Sequence, residues 1–134
     1  LAEVRARGEL VWGGDLQGGE PYVFEDPQDP SRIVGFEVDI ADALARVIGA
    51  KRARFFPVQW SNLVPSLERG DFDVALNGLE DTSERRTRLR LSRPYFVYRE
   101  VLAVRRGSPY VGLASLAGKR VATLNQTQAF DILR

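Results

Sequence analysis

The stretch Gly35-Phe36-Glu37-Val38-Asp39-Ile40-Ala41-Asp42-Ala43-Leu44-Ala45-Arg46-Val47-Ile48-Gly49 decides the fold class. Phe36, Ile40, Leu44, Val47 and Ile48 recur at helical spacing. Glu37, Asp39 and Asp42 fall in the early turns, where the helix macrodipole favours negative charge, and Gly49 supplies a left-handed stop. A helix is therefore expected from Phe36 to about Ile48. Upstream, the apolar run Leu10-Val11-Trp12 enters Gly13-Gly14 and then a polar stretch rich in Gly and Pro from Asp15 to Ser31. This reads as a strand followed by a long loop, and loops of that length tend to be functional or mobile. Downstream, Arg54 to Val58 reads as a strand. Ser61 is expected to cap a short helix carrying Leu63, Val64 and Leu67 and closed by Gly70, with Pro65 awkward in its first turns. Asp73 to Leu76 reads as the next strand, Thr82 opens a short charged helix, and Arg99 to Arg105 is a further extended run.

Strand, helix, strand, helix, strand in succession is the mark of βαβ units, so the fold class is α/β, with a mostly parallel sheet and flanking helices. The segment Gly107-Ser108-Pro109-Tyr110-Val111-Gly112 looks like a boundary. Beyond it a turn (Ser115 to Gly118), a strand (Arg120 to Leu124) and a helix from Thr127 begin a second unit. The expected organisation is thus a first lobe over residues 1–105 and the incomplete opening of a second over residues 106–134.

Composition narrows the chemistry. The 134 residues are 44% hydrophobic and 28% charged, ordinary for a globular chain, and this length can bury a core without disulfides or metal. A net charge of +1 lacks the basic bias of a nucleic-acid binder. Zero Cys removes thiol nucleophiles and zinc-thiolate sites, and zero His removes the commonest general base and metal ligand, so no catalytic residue, metal site or cofactor is expected. A chain that opens on Leu1 and holds no Met is expected to be part of a longer translation product. The cluster Arg85, Arg86, Arg88, Arg90 and Arg93 cannot place all its members on one helical face. Acidic Glu80, Asp81 and Glu84 lie beside it, which argues against a phosphate-binding patch.

In open parallel sheets ligands bind beyond the carboxyl ends of the strands. Asp15 follows the first strand there, Trp60 the second, and Asn77-Gly78-Leu79-Glu80 the third, with Arg85 at the start of the next helix. Each has a plainer role available: Asp15 as a turn former, Trp60 as a packing residue, Arg85 as a solvated charge.

Several segments carry a resemblance. They are Gly35 to Leu44, Gln59-Trp60-Ser61-Asn62-Leu63-Val64-Pro65-Ser66-Leu67, Gly70-Asp71-Phe72-Asp73-Val74-Ala75, Thr82-Ser83-Glu84-Arg85-Arg86, Leu91-Ser92-Arg93-Pro94-Tyr95 and Leu116-Ala117-Gly118-Lys119-Arg120-Val121-Ala122. In this order the chain resembles the extracytoplasmic solute-binding proteins of amino-acid ABC transporters, family 3 type. The resemblance implies a periplasmic-binding-protein type II clamshell that holds an amino acid between two lobes. It implies a partner in the permease subunits of an ABC importer and a location in the periplasm or on the outer face of the cell membrane. No nucleic acid is involved, and the membrane enters only through the transporter, an anchor or a fused permease. By position, Arg85 matches the arginine that grips the ligand α-carboxylate, and a planar guanidinium suits that task. Gly78 matches a backbone contact, Trp60 the aromatic wall of the side-chain pocket, and Asp15 an acid that meets ligand amines. Thr127 and Gln128 match groups that cap the carboxylate.

Three departures stand out. Gln17-Gly18-Gly19 stands where the family usually has a stacking aromatic, so the stack is lost or supplied by Tyr22; Gln126 replaces a glycine; and Glu80 stands where Ser or Thr commonly bonds the α-ammonium. If Asp15 and Glu80 both face the ligand, their mutual repulsion calls for a second positive group, which points to a cationic amino acid. The alternative is that Glu80 pairs with a neighbouring arginine, such as Arg86 or Arg88, and leaves a neutral pocket. The resemblance also extends to cyclohexadienyl dehydratases, to the regulatory lobe of some lytic transglycosylases and to receptor ligand cores, so an enzyme on the same scaffold is the rival reading.

Overall fold

Strand β1, Glu9–Gly14, is buried at all six positions, because it lies at the centre of a parallel sheet covered on both faces. In the computed structural model, which describes all 134 residues, helix α1 (Ala2–Arg7) precedes β1, and the short antiparallel pair β2 (Phe24–Glu25) and β3 (Ile33–Val34) lies in the long loop after it. Helix α2 (Phe36–Ile48), strand β4 (Arg52–Pro57), helix α3 (Trp60–Arg69) and strand β5 (Val74–Ala75) follow. The sheet order is β4-β1-β5. Glu9 pairs with Arg52 and Gly14 with Pro57 along one edge of β1, and Trp12 with Val74 and Gly13 with Ala75 along the other.

Side chains alternate across β1. Leu10 packs with Val4, Ala45 and Ala50, while Trp12 packs with Val23, Ala41 and Leu76 and sets its ring 4.6 Å from Phe55. Val11 faces the other way, onto Leu63 and Phe72. At Gly13 a Cβ would lie 2.4 Å from the Phe72 ring, so this position needs glycine for space. Glu9 is the polar member of the strand, and Arg52 and Arg54 hold its carboxylate. The Arg54 hydrogen bond draws its pKa below the usual carboxylate value, against the opposing effect of burial and with further help from Arg52.

The expected helix forms over Phe36–Ile48 and ends at Gly49 in the left-handed region. Its buried stripe differs from the expectation: Glu37, Ala41 and Ala45 are buried, and Val47 is 83% exposed. With 3.6 residues per turn, positions 37, 41, 45 and 48 share a face and 47 falls outside it. The small alanines let α2 approach the sheet closely. Helix α1 and the β2/β3 pair have no counterpart among the expected elements.

Ser61 does not cap α3. That helix begins at Trp60, with Gln59 in the capping position and no side-chain cap from it. Gly70 closes the helix in the left-handed region as expected, and Pro65 is accommodated inside it.

The chain divides into two compact units, Leu1–Leu79 and Glu80–Arg134. The sheet of the first unit ends at β5, and nothing after Leu79 adds a strand to it. The second unit holds helix α4 (Ser83–Arg88), a 3-10 turn at Leu113–Leu116 and helix α5 (Gln128–Ile132). Arg120 to Leu124 does not form the expected strand, and the extended run Arg99 to Arg105 joins no sheet, since no neighbouring strand offers their backbone groups a ladder. No helix is long and apolar enough to cross a membrane.

Candidate functional site

The connection from β1 leads to β4 on one side, and the connection from β4 crosses to β5 on the other. The carboxyl ends of β1 and β5 therefore form a topological switch point, the place where open α/β sheets leave a ligand crevice. Asp15 and Asn77-Gly78 lie there. The Asp15 N–H donates to Asn77 Oδ1 at 3.0 Å, and Asn77 Nδ2 donates to the Asp15 carbonyl at 3.3 Å. Asn77 is buried, and its amide stitches the two strand ends together where the ladder stops. The Asp15 carboxylate accepts from Gln17 N at 2.9 Å and from Trp60 N at 2.7 Å. It thus caps the turn after β1 and the first N–H of α3 at once. Trp60 packs its side chain against the Val11, Leu63 and Phe72 cluster and remains partly exposed.

Gly78 adopts φ +59°, and its N–H donates to Glu37 Oε1 at 2.7 Å. Glu37 is fully buried, and sequence reasoning missed it by treating it as an ordinary acidic residue of a first helical turn. The available signal was its spacing of four from Ala41 and eight from Ala45, on the stripe of small residues that faces the sheet. Gly78 was expected to admit a ligand to its backbone. The neighbour that needs the space here is Tyr22, whose Cε1 would lie 3.0 Å from a Cβ at position 78 and whose ring centre is 5.1 Å from that of Phe36.

The remaining expected site residues belong to the second unit. Thr82 caps α4 by accepting from Arg85 N at 3.2 Å. The Arg85 guanidinium donates through Nη1 to the Glu80 carbonyl at 3.0 Å and to Glu80 Oε2, and through Nη2 to the Gln126 carbonyl at 2.7 Å. Glu80 Oε1 accepts from the Gln128 N–H at 3.1 Å. Both side chains of the ion pair are largely buried, 15% exposed for Arg85 and 12% for Glu80. Burial alone would raise the Glu80 pKa, but the Arg85 hydrogen bond and the Gln128 N–H outweigh it and hold the carboxyl below its usual value. Gln126 stands in the left-handed region at φ 62°, a conformation uncommon for a residue with a Cβ. The Thr127 hydroxyl donates to the Leu124 carbonyl at 2.7 Å and accepts from Phe130 N at 3.3 Å.

Of the two readings open for Glu80, the structure follows the one in which it pairs with a neighbouring arginine. Glu80 pairs with Arg85, while Arg86 pairs with Asp81. Asp15 and Glu80 each have donors of their own.

The family model for bacterial extracellular solute-binding proteins, family 3, matches residues 13–130. The chain is 31% identical over 104 residues to ABC transporter arginine-binding protein 1 of Escherichia coli strain K12, covering 78% of this chain and 42% of that protein. It is 37% identical over 107 residues to membrane-bound lytic murein transglycosylase F of Maricaulis maris, covering 80% of this chain and 23% of that one. Among solved structures, the arginine-bound form of domain 1 from TmArgBP superposes with a TM-score of 0.66 at 33% identity, covering 72% of this chain and 73% of that one. The chain spans 42% or less of both curated relatives.

Proposed function

Because the chain belongs to the bacterial extracellular solute-binding proteins, family 3, we propose that it is the ligand-binding part of a protein that captures an amino acid outside the cytoplasm and passes it to the permease of an ABC importer. The observation that carries this reading is the largely buried Arg85 guanidinium holding the Glu80 carboxylate, whose second oxygen sits on the Gln128 N–H. A largely desolvated guanidinium with a nearby backbone donor is a carboxylate receptor by construction. On this reading Arg85 takes the ligand α-carboxylate and Thr127 holds the turn that presents Gln128. In the first unit, Trp60 and the Gly78 backbone are ligand contacts, and Asp15 and Asn77 fix the strand ends that present them. Residues 1–105 are most of the first lobe and residues 106–134 the opening of the second, with the whole protein in the periplasm or on the outer face of the membrane. Of Asp15, Glu80 and Glu84, the carboxylates an acid-base reaction would draw on, the first two are committed as hydrogen-bond acceptors, which favours binding over turnover.

L-arginine is the first probe, because the related domain 1 is described as arginine-bound. Calorimetric titration of the 134-residue chain is expected to show saturable binding weaker than micromolar, since one lobe leaves much of a ligand in water. Arg85→Ala should cost about 2 to 5 kcal/mol of that binding, and Arg85→Lys should recover only part of it. Arg86→Ala, at an exposed pair with Asp81, is the control. An equal loss from Arg86→Ala would refute the assignment of Arg85.

A further inference from the structure

We propose that Glu80 is a built-in competitor for the carboxylate seat, so that an amino acid must displace it from Arg85 and the Gln128 N–H in order to bind. This deepens the reading of Arg85 as the ligand's carboxylate receptor and rests on it. The Glu80 side chain reproduces what a ligand carboxylate does at such a site, with one oxygen on the guanidinium and the other on a backbone N–H. The competitor is tethered. Arg85 Nη1 also holds the Glu80 carbonyl, so the carboxylate is kept within reach of its seat at a high effective concentration that a free amino acid has to overcome. The pair is largely screened from water, and a second carboxylate brought to Arg85 beside Glu80 would meet an uncompensated like charge in a poorly solvated place. Displacement avoids that cost, and coexistence does not. The same geometry opposes the other role open to Glu80, that of holding the ligand's ammonium, because its charge is already matched by Arg85.

The test titrates L-arginine, L-histidine and L-glutamine into the 134-residue chain, alongside their carboxylate-free counterparts agmatine, histamine and 4-aminobutanamide. Wild type is compared with Glu80→Gln and Glu80→Ser. Freed of the competitor, Arg85 should bind at least one of the amino acids about tenfold more tightly, the weight of one charge-assisted hydrogen bond, while the amines gain nothing. Weaker binding of amino acids and amines alike would make Glu80 an ammonium contact and overturn the proposal. Wild-type binding with no gain in either folded variant would overturn it and leave the amino-acid reading standing. No binding of any amino acid by wild type or variants would remove both.

A measurement on the wild type avoids any dependence on how the variants fold. On saturation with the amino acid, the NMR signals of the Glu80 carboxyl carbon and the Gln128 amide should shift together as the seat changes occupant. If both stay in place while the amino acid binds, Glu80 is a fixed strut and the proposal fails.

Discussion

Replacing Asp15 by Ala removes one carboxylate that serves two elements. Its bond to Gln17 N is exposed and contributes about 0.5 kcal/mol, near the low end for an intramolecular hydrogen bond. Its bond to Trp60 N is partly buried, charge-assisted and directed at the first turn of a ten-residue helix, which puts it at about 1 to 2 kcal/mol, the range of a lost N-cap. The expected loss is therefore about 1.5 to 2.5 kcal/mol, assigned to the first unit. Both tryptophans, Trp12 and Trp60, lie in that unit, so fluorescence in a urea titration reports its unfolding alone. A lower midpoint at unchanged slope is the expected result, and Asp15→Asn, which keeps one acceptor oxygen, should fall between. If Asp15→Ala left the midpoint unmoved and abolished amino-acid binding, Asp15 would be a ligand group and the strut argument would be wrong.

Two further outcomes follow from the same structure. Gly13→Ala should destabilise the first unit by about 1 to 3 kcal/mol or prevent its folding, because the new methyl group would lie 2.4 Å from the Phe72 ring in a packed core, and the urea midpoint measures this. Glu9 and Glu80 both have folded-state pKa values held below the ordinary value of 4.5, so the stability they lend is present above that value and is lost as pH falls through the depressed folded values. Acid titration should show the first unit weakening with Glu9 protonation. The second unit should lose its Glu80 contacts in the same direction, and Glu80→Gln should abolish the second response alone.

The elements readable from sequence were those whose signal is local and repeated. The α2 stripe, the glycine stops at Gly49 and Gly70, and the apolar runs of β1, β4 and β5 each carry their evidence within a dozen residues. What was missed depends on distant partners. The acceptor at the start of α3 is Asp15, 45 positions away, so a search for a local cap settled on Ser61 instead. The strands β2 and β3 have two residues each, too short for any alternation to show. Glu37 looked like a first-turn acid because its reason for burial, the Gly78 N–H, is 41 residues on. Which neighbouring arginine pairs with Glu80 was not legible, because sequence proximity offers Arg85, Arg86 and Arg88 almost equally, and only the fold of the Gln126 to Gln128 turn selects among them.

The hydrogen bonds divide the expected site residues by the work each can do. At the strand ends of the first unit, the polar groups chosen from sequence are engaged with one another: Asp15 with Gln17 and Trp60, Asn77 with Asp15, and the Gly78 N–H with Glu37. A donor already held by a buried glutamate cannot also be offered to a ligand carboxylate without exposing that glutamate to a loss of about 1 to 3 kcal/mol. On the proposed reading the first unit contributes shape, through a Gly78 backbone that must leave room for Tyr22 and a Trp60 ring held partly out of the core. On the same reading charge recognition falls to Arg85, whose present acceptor is the Glu80 side chain. Substitutions in the first unit away from Trp60 and Gly78 should accordingly change affinity in step with stability. Those at Arg85 and Glu80 should change affinity while the first unit's unfolding midpoint stays where it was.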